Sequence, residues 1–372
     1  MLYRKFLNSI CKVHRIFLFL LIVTAQNISR MKKLCCVILS LTLQQSLIFS
    51  QTSPINKQLF FLDEKPVEVT LTTDIRKLRN DKKTPVYQPA NIIMQFSDTS
   101  IINEQIRVEP RGIFRKNNCD IASLMLNFTN SSSPKLSPLK KLKLVGNCKS
   151  GSVYDELLLK EYLVYKIHNI LSNMSFRVRL LHITYKDSQE KIKAYTQYAF
   201  LMEDMKDMAD RNNCVEIRND NFSTEATNRE QMTFVNLFQY MISNVDWSVP
   251  KRHNIKLMVP KNDTLAKPYA IPYDFDFCGL VDASYAGVPE DLGVETVRQR
   301  LYRGFSRSLN ELQAVINVFQ EKKESIMNYI DHFELCSTRC RKGVTGYLGE
   351  FYKTVSNQKN VESIFIINAR LR

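Results

Sequence analysis

The chain has 372 residues, 44% of them apolar, with only ten glycines and no low-complexity tract; this excludes a disordered or fibrous protein and fits one large or two medium globular domains. Its 52 Lys and Arg against 37 Asp and Glu give a net charge of +15. Those basic residues are scattered among acids as Lys-Lys pairs, not gathered in one stripe with aromatics, so the surplus reads as a solvated surface and no nucleic-acid partner is expected.

The first fifty residues contain no Asp or Glu and hold two apolar runs, over residues 16–25 and 34–50. The second run follows Met31-Lys32-Lys33, a basic start before an apolar core of signal-peptide length, and ends before the polar Gln51. This predicts a leader over residues 1–50, translation from Met31, cleavage near Ser50 or Gln51, and an exported product that is periplasmic, envelope-associated or secreted. The alternative keeps residues 1–30 and makes one run an anchor, but both are shorter than the ~20 apolar residues a spanning helix needs. No stable membrane span is therefore expected. Residues 1–50 hold seven Lys or Arg, so their removal leaves a net charge of +8. It also leaves six cysteines, an even number, as an oxidising compartment favours. Cys119 and Cys148 end two apolar runs and could face each other, whereas Cys336 and Cys340, four apart in an expected helix, are poorly placed for a mutual bond.

Strand-like alternation follows at residues 67–71, 90–96, 105–109, 124–128 and 142–145, separated by turn-rich segments. Residues 155–171 have helical periodicity, 179–185 and 194–202 read as strands, and a polar excursion over 211–228 precedes a helix at 230–242. A hairpin at 255–259 and 268–272 comes next, and then a mainly helical third with helices expected at 294–302, 309–333 and 348–355. The outline predicts an α+β, two-lobed, protein-kinase-like fold. Its β-rich N-terminal lobe would span residues 51–202 and its helical C-terminal lobe 203–372, with an acidic site at the junction.

That acidic site is the segment 244–276. Asp246 and Asn254 share one loop, and Asp274 and Asp276 follow the second strand of the hairpin, which would bring both ends together. Mg²⁺ takes hard oxygen ligands and usually one or two carboxylates plus substrate phosphates, which suits an Asn carbonyl and Asp carboxylates on adjacent loops. Phosphoryl transfer also needs a separate carboxylate to accept the proton of the attacking hydroxyl, the role for Asp246. Each residue has a plainer reading as well. Asp246 could end a helix beside Trp247, Lys143 could lie on the wet face of an edge strand, and Glu161 could be a solvated helix residue. Asp274 and Asp276 could bond turn amides, although the two acids flanking Phe275 have no basic partner in sequence.

Several segments together resemble the secreted kinase-like proteins of the spore-coat protein H (CotH) type, and more closely a set of exported bacterial proteins with the same core. They are Arg107-Val108-Glu109-Pro110-Arg111-Gly112, Lys141-Leu142-Lys143-Leu144, Glu161, Glu203-Asp204, Asn244-Val245-Asp246, His253-Asn254 and Pro272-Tyr273-Asp274-Phe275-Asp276, covering most of residues 67–280. The resemblance implies an ATP site. Arg111 and Gly112 would face the phosphates; Lys143, or failing it Lys141, would pair with them; Glu161 would hold that Lys; and Glu203 would sit at the hinge between lobes. Asp246 would be the catalytic base, Asn254 and Asp274 metal ligands, and Asp276 their support. The chain departs from protein kinases in lacking a GxGxxG loop and in its longer step from Asp246 to Asn254. Two functions follow: an exported phosphotransferase using ATP with Mg or Mn on a protein or envelope hydroxyl, or a non-catalytic kinase-like scaffold or adhesin of the envelope.

Overall fold

The structure is a computed structural model that describes residues 52–80, 86–112, 119, 123–149, 151–218 and 222–371; the leader expected over residues 1–50 lies outside the described residues. The chain divides into compact units of residues 1–58 and 59–372, and every element from the first strand onward belongs to the second. Ahead of that strand runs helix α1 (Thr52–Leu62).

Strands β1 (Val67–Thr73), β2 (Gln88–Gln95), β3 (Ile101–Arg111), β4 (Ser123–Asn127), β5 (Lys141–Gly146), β6 (Val178–Asp187) and β7 (Tyr195–Met202) close into a barrel in the order β1-β2-β3-β4-β5-β7-β6. Six of the pairings are antiparallel. The seventh, β1 with β6, is parallel, with Val67 opposite Leu181, and it shuts the barrel. This overturns the expected two-lobed, kinase-like fold: the N-terminal strands form a closed mixed barrel, with a separate three-stranded sheet and helices beyond it. The physical reason lies in β1. Its Val67, Val69 and Leu71 point inward while its backbone bonds on both sides, so the first strand has no free edge to leave the sheet open.

Alternation along each strand fills the barrel. Leu71, Ile92, Met94, Val108, Leu126, Leu144, Leu181, Ile183 and Leu201 are all fully buried in one cluster. A second core lies outside the barrel wall. Val178, Leu180, Phe200 and Met202 point out from β6 and β7 and pack with helices α3 (Ser152–Leu171), α5 (Arg229–Met241), α6 (Leu309–Asp331) and α7 (Thr338–Val355). β6 is thus buried on both faces at its start, where even Arg179 is enclosed and donates to Asp63 Oδ2 at 2.7 Å. Short helices α2 (Ile75–Asn80) and α4 (Met205–Arg211) follow β1 and β7. The small sheet orders β10 (Tyr269–Pro272), β9 (Ile255–Pro260) and β8 (Cys214–Ile217), all antiparallel.

Residues 294–302, read as a helix from sequence, are not one. Their carbonyls bond elsewhere: Ser243 Oγ donates to Val297 O at 2.8 Å and Gln299 O at 2.9 Å, and Tyr347 OH donates to Arg298 O at 2.9 Å. Cys119 and Cys148 form a disulfide. No helix among the described residues is long and apolar enough to cross a membrane.

Candidate functional site

α3 is buried on nearly every side because it fills the groove between barrel and helices, so Glu161 is carried into the interior at 1% exposure. Asp274 and Asp276 arrive from the segment after β10. Phe275 between them is buried edge-on against Tyr165 (4.8 Å) and Phe238 (5.7 Å), which fixes the two acids on the other side of the chain. One carboxylate oxygen from each of Glu161, Asp274 and Asp276 lies within 4.8 Å of the other two. Asp274 holds a left-handed backbone (φ 65°), and its N–H donates to Tyr165 OH at 2.9 Å. The Tyr165 hydroxyl is pushed well above its usual range, first by burial and then by the charges of Glu161 and Asp274. Three carboxylates at such range repel one another, and a hard cation relieves that repulsion.

Beside them stands a cationic group. Lys143 leaves the outer face of β5, half-buried, with its Nζ 5.1 Å from the centre of the Tyr273 ring. Burial lowers its pKa to about 8, helped by the positive charges of Arg111 and Lys256 and opposed by those of Asp274 and Asp204. Arg111 ends β3, and Gly112 after it has φ 83° with no atom within 4 Å of where a side chain would begin. Lys256, on β9 opposite Ile271, also reaches Glu216 Oε1 at 3.1 Å. Lys141, the fallback for Lys143, is exposed and lies over the Tyr87 ring.

Asp246 is held from three sides. His253 Nε2 lies 2.7 Å from its Oδ1, Asn254 Nδ2 donates to its Oδ2 at 3.0 Å and its main-chain O at 2.9 Å, and its own N–H donates to Asn244 Oδ1 at 3.0 Å. Asn254 is left-handed (φ 51°), and its carbonyl accepts the Tyr273 N–H at 3.1 Å. The β9–β10 hairpin therefore brings Asp246, Asn254 and Asp274 to one end, as the spacing of the segment predicts. The three-carboxylate group does not include Asp246.

Glu203 lies between β7 and α4. Its buried carboxylate accepts from Arg211 Nε at 2.9 Å, Arg211 Nη2 at 3.1 Å and the Arg177 N–H at 3.0 Å, tying the end of β7 to α4. Glu161, expected to hold Lys143, stands with Asp274 and Asp276 as a third carboxylate. Sequence reasoning missed Lys256, Tyr165 and Tyr273. Lys256 carried a signal, since it is the one charged residue in the apolar strand that leads toward Asp274. No protein-family model matches the chain, and no curated protein proves significantly similar to it.

Proposed function

We propose that the protein is an exported phosphotransferase that uses Mg-ATP or Mn-ATP and passes the terminal phosphoryl group to a hydroxyl of a protein or envelope component. One observation carries this reading: around Asp274 a group of carboxylates (Glu161, Asp274, Asp276) meets a group of cations (Arg111, Lys143, Lys256). All-oxygen donors fit a hard divalent cation. Clustered ammonium and guanidinium groups, which repel each other when empty, fit a polyphosphate. The chemistry follows the spore-coat protein H resemblance, while the fold does not, so the reading stands on the site.

Glu161, Asp274 and Asp276 would hold the metal, with the side-chain oxygen of Asn254, whose nitrogen donates to Asp246, as a further ligand. When bound, the ion would neutralise charge on the phosphates and help align them. Lys143 and Lys256 would pair with phosphate oxygens, and Arg111 would add a planar, two-pronged donor. Gly112 leaves room for a phosphate near the backbone. Asp246, fixed by His253 and Asn254, would accept the proton of the acceptor hydroxyl.

The test is thermal stabilisation of the full chain by millimolar ATP with Mg²⁺ or Mn²⁺, with a chelator, and in Asp274→Asn. A ligand that binds only the native state at 100 times its Kd adds about 2.7 kcal/mol. A metal-dependent rise in Tm that Asp274→Asn abolishes is expected. No rise in any condition would discard the nucleotide site in favour of a non-catalytic envelope scaffold.

A further inference from the structure

A cavity of about 410 Å³ opens between α3, α7 and the loop that carries Arg298, lined by Glu156, Lys160, Arg298, Arg339, Cys340 and Tyr347 among others. Three cations face one carboxylate. Lys160 contacts Glu156 at 3.2 Å and Arg298 contacts Asp282 at 3.2 Å while lying over the Tyr347 ring, whereas Arg339 is exposed at the rim. With Asp282 paired to Arg298 the surplus is one positive charge, and the wall holds a thiol. Cys340 is the third residue of α7, its N–H bonded to Oγ of the N-cap Ser337 at 3.1 Å. Cys336 lies in the turn before that cap, not in the helix as its spacing from Cys340 suggests, and its buried thiol stands beside the buried Cys340 thiol. Both cysteines are unbridged.

We infer that Cys340 is a thiol–disulfide exchange site whose cationic cavity docks an anionic low-molecular-weight disulfide of the oxidised-glutathione class, with Cys336 as the resolving thiol. Cys340 loses its proton, and its sulfur attacks one sulfur of the reagent. A bond forms between them, the reagent's S–S bond breaks, and one half departs as a thiol. Cys336 then loses its proton and attacks the Cys340 sulfur, displacing the other half. Two protein thiols are oxidised to one disulfide, and one small disulfide is reduced to two thiols. The electrostatics favour this order. The neighbouring Cys336 thiol holds the Cys340 thiol below its ordinary value, with Lys160 and Arg341 assisting and burial and Glu156 opposing, while Cys336 is held above its own. The other free thiols among the described residues, Cys214 and Cys278, are raised by burial, the latter to about 12, and neither lines the cavity.

Mass spectrometry of the full chain exposed to oxidised glutathione or to neutral hydroxyethyl disulfide decides the matter. Wild type should end with Cys336 bridged to Cys340, Cys336→Ser should stop at a glutathione adduct on Cys340, and Cys340→Ser should gain no adduct on Cys336. Oxidised glutathione should react about tenfold faster than the neutral reagent, as attraction into a charged cleft provides, and Arg339→Ala, at an exposed position, should lose most of that preference. Equal rates for the two reagents, first modification at Cys214 or Cys278, or no adduct in Cys336→Ser would each overturn the assignment.

Discussion

Lys143 shows how one side chain can be costly to the fold and useful to the site. Below pH about 8 it is charged in both the folded and the unfolded chain, so the folded state bears the full penalty of burying it beside Arg111 and Lys256. Between about 8 and its ordinary value of 10.5 the folded chain has released a proton that the unfolded chain keeps, so stability rises with pH across that window. Lys143→Met is expected to stabilise the protein near pH 7 by about 1–3 kcal/mol and to flatten that rise, as urea titrations at stepped pH would measure. Under the proposed function it should also weaken Mg-ATP, and wild-type affinity should fall as pH climbs past about 8. A variant no more stable than wild type at pH 7 would mean that Lys143 bears no such penalty. At this scale the sequence was informative about residue types but not about partners. Asp274 and Asp276 were legible from their position around Phe275; that Glu161 joins them from a helix more than a hundred residues earlier was not, because nothing local marks which face of α3 meets the loop.

Elements were the most legible level, and their failures are instructive. Seven barrel strands and most of the main helices follow from periodicity alone, although α7 begins ten residues before its expected start at 348. Residues 294–302 have helical spacing yet stay irregular, since Ser243 and Tyr347 take the carbonyls a helix would need. The same region explains Gly279, just beyond the acidic loop. A side chain there would begin 2.2 Å from Val297 O and 2.8 Å from Tyr347 OH, with backbone on the near side. Gly279→Ala should therefore cost about 2–4 kcal/mol and disturb both the carboxylate group and the thiol cavity, visible as a lower denaturation midpoint. α6 offers a milder case. Ser308 and Glu311 form a reciprocal cap at its start, and Ser308→Ala should cost about 1 kcal/mol with no effect on ligand binding.

For the whole molecule, strand content was readable and closure was not. Whether seven alternating strands make an open lobe or a barrel depends on what the outermost strands find, and Val67 opposite Leu181 leaves no trace in either segment. Cysteine count did carry long-range information, since Cys119 and Cys148 were the pair their positions favoured. That bridge closes a loop of 29 residues, for which chain-entropy reasoning gives about 3–4 kcal/mol. Cys119→Ala with Cys148→Ala should lower stability by up to that amount, as measured by calorimetry.

The parallel seam also sets an order of events at the ribosome. Such a barrel cannot be completed hairpin by hairpin: β1 waits for its second neighbour until β6 has emerged, and β5 waits longer still, for β7. Until Met202 is outside the exit tunnel, a nascent chain presents unpaired strand edges, the surfaces most prone to capture by other chains. Stalled chains ending before that point should be cut readily by protease and bound by chaperones, and those extended well past it should resist.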